Sequence, residues 1–189
     1  YGKWVHEIIT ELDIDNVTVA GFSFGGLIIL KALVHKQVNI KTAFIASPAY
    51  IVNGNPLGAL FKVFIPMKRY MKSHKIRHIE KFLSVLFTER EEFAVNFLGK
   101  VFLHFKMDFT PVPLISRKEA QRITTPITIL AAKKDVLFPG IKMKKRAEKL
   151  FSSLKDFLLL ENSKHVQDKE GNSIFERLLL ESKNIAYNE

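Results

Sequence analysis

At 189 residues with 47% hydrophobic side chains, the chain is the size of one ordinary domain and can bury a full core. It holds no cysteine, which excludes a disulfide framework and any thiolate metal site. A net charge of +10, with pI near 9.7, favours anionic partners, and no apolar run approaches the ~20 residues of a membrane span. With no signal-peptide pattern at the start of the sequence, the expected compartment is the cytoplasm.

Trp4, Val5, Ile8, Ile9 and Leu12 recur at helical spacing, so residues 1–12 are predicted to form an amphipathic helix. Asp13–Asn16 reads as a loop, and the β-branched run from Val17 as a short strand to Ala20. Gly21-Phe22-Ser23-Phe24-Gly25 follows, then a buried helix that includes Leu27–Leu33. Thr42–Ser47 suits a second strand, stopped by Pro48. From residue 50 to 118 the alternation breaks. This stretch is rich in Phe, Leu and Lys and reads as helices, around His74–Phe87 and Glu89–Phe105, with Pro66 ending or kinking any helix that meets it. Twelve Lys/Arg against five Asp/Glu there carry +7 of the +10.

A third strand at Thr128–Ala132 is entered through Pro126, a helix follows over Lys142–Ser152, and Phe157–Leu160 suits a fourth strand. The last helix is predicted over Ser173–Asn184, where Ser173 and Glu176 have capping-box spacing. Strands alternating with helices predict an α/β architecture, a parallel sheet of about four strands covered on both faces. The expected division is a core of residues 1–49 and 119–189 and a helical lid of residues 50–118 inserted between the second and third strands.

The spacing G-x-S-x-G demands a sharp strand-to-helix turn whose neighbours lack a Cβ, with the Ser23 hydroxyl projected outward. A serine hydroxyl becomes nucleophilic when a histidine takes its proton and an acid holds that histidine's tautomer. Asp135 lies just past the third predicted strand and His165 just past the fourth, with Asp156 and Asp168 as competing acids. Loops at the carboxyl ends of parallel strands share one rim, so Ser23, Asp135 and His165 are expected to converge. Ser47-Pro48-Ala49-Tyr50, after the second strand, offers no carboxylate. His6, His35, His74, His78 and His104 fall in predicted helices and read as packing or surface residues.

The elbow with its additional Gly26, and the order serine, acid, histidine, resemble the α/β-hydrolase family in its serine-nucleophile, lid-bearing, esterase/lipase-like branch. The resemblance implies acyl-enzyme chemistry on a carboxylic ester: Ser23 attacks, His165 serves as base and then acid, and Asp135 orients His165. The Phe24 amide is the implied oxyanion donor, and Phe22 and Phe24 flank the nucleophile and shape the pocket. No cofactor or metal is implied. The many lid phenylalanines favour a small-molecule ester with an apolar or lipid-like part. Apolar Leu57–Ile65 beside Lys68, Arg69, Lys72, Lys75, Arg77 and Lys81 suits an anionic membrane surface. The plainer reading is that those apolar residues cover the site's rim while the lysines face water. No nucleic-acid partner is expected, since no recognised motif accompanies the charge.

The sequence departs from the family's pattern in one respect: only one helix and one strand precede the elbow, and no His-Gly-type loop supplies a second oxyanion donor. The sheet is therefore expected to be the C-terminal half of an α/β-hydrolase sheet with an open edge at Val17–Ala20, apolar on both faces. A longer chain, or a separate chain or segment, would complete it. Rival readings are a non-catalytic binding module of the same fold and an acyltransferase.

Overall fold

The computed structural model describes residues 1–35, 39–106, 108 and 110–186, with side chains as far as residue 181. Helix α1 (Gly2–Glu11) lies against α2 (Phe24–His35), burying His6 and Ile9; a Cβ at Gly2 would meet the backbone of Lys31 at 2.7 Å. Strands β1 (Val17–Phe22), β2 (Ile40–Ala46), β3 (Ile127–Ala132) and β4 (Leu154–Leu160) form a parallel sheet in the order β1-β2-β3-β4. Strands β2, β3 and β4 begin one to three residues earlier than the sequence pattern indicates, because Ile40 pairs with Val17 and Ile127 with Leu154 at the start of the sheet.

Burial across the sheet follows strand position. Every residue of β3 is buried, and its Ile-Thr-Ile-Leu-Ala-Ala run has the continuous apolarity of a strand covered on both faces. Burying Ile127 and Ile129 fully stabilises the fold by about 1.5–3 kcal/mol each. At the edge, β1 alternates: Val17 and Val19 are half-buried, whereas Thr18, Ala20 and Phe22 are exposed. Its outer backbone edge has no partner strand among the described residues. The main core joins α1, α2 and the sheet to Ala49–Val52, Ile115, Ile123 and helix α8 (Gly140–Leu150).

Between β2 and β3 the chain is helical, as expected: α3 (Pro56–Ala59), α4 (Ile65–Ser73), α5 (Ile76–Leu86), α6 (Glu92–His104) and α7 (Arg117–Ala120). Val63, Met67, Tyr70, Ile79, Phe82, Leu83 and Phe102 give this insertion a core of its own. Pro66 does not end the helix. One π-helical turn, Leu60–Phe64, joins α3 to α4, and the Ile65 N–H donates five residues back to Leu60. The wider turn carries the chain past a proline that has no N–H to give.

The expected capping box at Ser173 and Glu176 is not formed. Helix α9 (Lys169–Ala186) starts four residues earlier, with Asp168 Oδ1 accepting from the Gly171 N–H at 2.9 Å. Ser173 instead donates back to the Lys169 carbonyl, inside the helix. Ser116 and Glu119 form a reciprocal capping box at the start of α7.

Candidate active site

Ser23 stands between β1 and α2 with φ of 53°, in the left-handed region that side chains with a Cβ rarely adopt. Four backbone hydrogen bonds hold it there. Its N–H donates to Ala46 at 2.9 Å, and its carbonyl accepts from Gly26, Leu27 and Ala49 at 3.1, 3.4 and 3.0 Å. Gly21 and Gly26 let the elements come this close: a Cβ at Gly21 would sit 2.6 Å from Ile29 Cδ1, and one at Gly26 2.6 Å from Pro48 Cβ. Gly25 departs from the expectation, since a Cβ there would meet nothing within 4 Å. The second glycine of the motif supplies backbone that a Cβ at Gly21 would meet at 2.8 Å, rather than space for itself.

Asp135 follows β3 and is 3% exposed. Its Oδ1 accepts from the N–H groups of Leu137 and Phe138 at 2.8 and 3.0 Å, which aims Oδ2 at His165 Nδ1, 2.7 Å away. On the ring's other side, His165 Nε2 lies 2.9 Å from Ser23 Oγ. A carboxylate can only accept, so Nδ1 carries the proton and Nε2 is left to accept from the serine hydroxyl. Phe22 and Phe138 pack on the imidazole with ring centroids at 5.0 and 5.5 Å. Residues 23, 135 and 165 therefore meet in one hydrogen-bonded chain.

The loop carrying His165 is tied down from two directions. Val166 forms an isolated parallel bridge with Phe87 of the helical insertion; its N–H donates to Leu86, and its carbonyl accepts from the Thr88 N–H and hydroxyl. On the sheet side, the Gln167 amide donates to the buried Ser47 hydroxyl at 3.0 Å. Ser47 has φ of 42° and begins the loop whose Ala49 N–H binds the Ser23 carbonyl. The bracing roles of Ser47, Thr88 and Gln167 were not expected from the sequence, where Ser47 figures as the end of the second strand. The available signal was the polar Gln167 two residues after His165, but polarity alone does not distinguish a buried strut from a surface loop.

The remaining predicted residues lie elsewhere or at the margin. Asp156 pairs with Thr128 across β3 and β4 and is exposed, and Asp168 caps α9. His6 is buried with Nε2 2.7 Å from the Ala32 carbonyl; His35, His74, His78 and His104 sit on helices or at their ends. Phe24 opens α2, so its N–H is one of the first-turn donors that the helix itself leaves unpaired. Its ring is 45% exposed and edges Tyr1 at 5.5 Å; Phe22 is 40% exposed. No helix among the described residues is long and apolar enough to cross a membrane.

No family model and no curated protein sequence matches the chain. Solved structures do. The naproxen esterase of Bacillus subtilis, a carboxylesterase, matches 100% of this chain and 65% of its own at a TM-score of 0.72 and 17% identity. The B. subtilis carboxylesterase CesB matches 94% of this chain and 64% of its own, with TM-score 0.72 and 14% identity. An esterase from Exiguobacterium antarcticum matches 98% and 71%, with TM-score 0.66 and 21% identity. The chain spans less than two thirds of the length of the two Bacillus enzymes. Together, the parallel sheet, the helices around it and these likenesses establish that the chain has the α/β-hydrolase fold.

Proposed function

We propose that the chain carries the catalytic apparatus of a serine hydrolase acting on a carboxylic ester with an apolar acyl or alcohol part. The observation that carries this reading is the hydrogen-bonded chain from Ser23 Oγ through His165 to Asp135, at 2.9 and 2.7 Å. Ser23 Oγ attacks the ester carbonyl carbon as its proton passes to His165 Nε2. The carbonyl π pair moves onto oxygen, where the Phe24 N–H donates to it. Collapse expels the alkoxide, which leaves as the alcohol with the proton from Nε2. Water then repeats the sequence on the acyl-enzyme, giving the carboxylic acid and free Ser23. Asp135 Oδ2 keeps accepting from Nδ1–H and stabilises the imidazolium. The exposed rings of Phe22, packed on the His165 imidazole, and of Phe24, next in sequence to the nucleophile, favour an apolar substrate. The helical insertion, whose Phe87 pairs with the His165 loop, serves as the lid.

A fluorophosphonate probe on the folded chain tests this, with the labelled peptide mapped by mass spectrometry. Labelling at Ser23, lost in Ser23→Ala, is expected, and ester turnover should fall on the order of 10⁴–10⁶-fold in that variant. A folded protein that takes up no label would instead be a binding module. Label without hydrolysis, but with acyl passage to an added alcohol, would make it an acyltransferase.

A further inference from the structure

We propose that the outward face of the α3–α4 helix is a docking surface for an anionic phospholipid bilayer. Val63, Met67 and Tyr70 point into the insertion's own core and fix the helix's rotation. The opposite face is thereby turned to solvent, with Leu57, Leu60 and Phe61 exposed at 65, 44 and 62%. Leu60, Phe64 and Ile65 floor a shallow groove of about 430 Å³, and Lys68, Arg69 and Lys72 rim it. An apolar tip beside a cationic turn is the pattern of a helix that lies in a membrane interface, apolar side chains among the acyl chains and cations at the headgroups.

The charge is one-sided along the chain as well as across the helix. No Asp or Glu occurs from Asn16 to Ile79, so Lys62, Lys68, Arg69 and Lys72 stand in a stretch of sequence that carries positive charge alone. One exposed aromatic pair elsewhere, Phe93 and Phe97, stacks at 5.7 Å on α6 but stands beside Glu91 and Glu92, where an anionic surface would be repelled. Charge complementarity therefore selects the α3–α4 face. The proposal is independent of catalysis at Ser23.

Flotation of the 189-residue chain with vesicles of phosphatidylcholine, alone and with phosphatidylserine added, tests the surface. Binding is expected only with phosphatidylserine, weakening as salt rises. Each cation removed from the face should lower partitioning roughly fivefold, so K68Q/R69Q/K72Q should lose roughly a hundredfold. Exchanging Leu60 and Phe61 for serine should weaken binding at high salt, where the apolar contribution is what remains. K144Q/K145Q/K149Q removes equal charge from exposed positions of α8 and should leave binding nearly unchanged. Equal loss from both triple variants, or no binding to either vesicle, would overturn the proposal. So would retention of a single-stranded oligonucleotide, abolished by the α4 triple, without any vesicle binding.

Discussion

Ser23 is held at φ of 53° by hydrogen bonds to Ala46, Gly26, Leu27 and Ala49, so its position depends on the loop after β2 as much as on its own turn. Backbone strain of this kind costs on the order of 1–3 kcal/mol and persists only where the surroundings over-determine it. Gln167 couples that loop to the one carrying His165, through the Ser47 hydroxyl. Gln167→Ala leaves a buried hydroxyl without its partner, at a cost of about 1–3 kcal/mol. It also loosens the Ser23–His165 separation. We expect kcat for a short ester to fall on the order of tenfold with KM nearly unchanged, and probe labelling to slow in parallel, because small misplacements at reacting atoms are costly. A loss of stability with unaltered kcat would make the contact merely structural. The convergence of Ser23, Asp135 and His165 was legible in the sequence because each follows a strand. Gln167 and Ser47 were not, since their pairing spans 120 residues and neither type is diagnostic alone.

At the scale of elements, the same Ser-x-x-Glu spacing occurs twice and caps a helix once. At Ser116 the preceding residues lie outside any helix, so hydroxyl and carboxylate can close on each other's backbone N–H; at Ser173 the helix has already begun at Lys169. Local spacing cannot tell these cases apart, whereas the alternation of strands and helices, repeated along the chain, predicted the sheet well. Helix α7 also carries Glu119, whose carboxyl is held at a pKa of about 2. The Ser116 backbone N–H contributes most, opposed by partial burial, with the Tyr50 and Ser116 hydroxyls and Lys31 lowering it further. Tyr50, at φ of 88°, lies in the loop that braces Ser23, and its hydroxyl donates to Glu119 at 2.8 Å. Because the folded pKa lies below the ordinary value of 4.5, Glu119 stabilises the fold fully above that value and progressively less as pH falls toward about 2. Urea unfolding of wild type and Glu119→Gln should show a gap in midpoint near neutral pH that closes across this window. A gap independent of pH would mean that the carboxylate's charge is not what tethers Tyr50.

For the whole molecule, the decisive feature is the outer edge of β1, which no strand pairs among the described residues and which was expected from the sequence at Val17–Ala20. The uneven burial of its two faces was not expected, since only Thr18 interrupts the apolar run of Val17–Phe22 and it is the packing that separates Val17 and Val19 from Ala20 and Phe22. An unpaired parallel strand offers backbone N–H and C=O groups to any further strand, and edge pairing between copies is the default when nothing covers them. A net charge of +10 opposes that association. Raising salt from 0.1 to 1 M shortens the screening length from about 10 to about 3 Å and removes the opposition. Sedimentation is therefore expected to report a species near 21.7 kDa at low salt and larger species at high salt. Lysine at the exposed positions 18 and 20, as T18K/A20K, should suppress the larger species even at high salt, because pairing at the edge would then have to desolvate ammonium groups. If the chain stays at 21.7 kDa in both conditions, the edge of β1 is not the site of association. If T18K/A20K associates as readily as wild type, the copies meet through another surface, and the exposed rings of Phe22 and Phe24 become the next to vary.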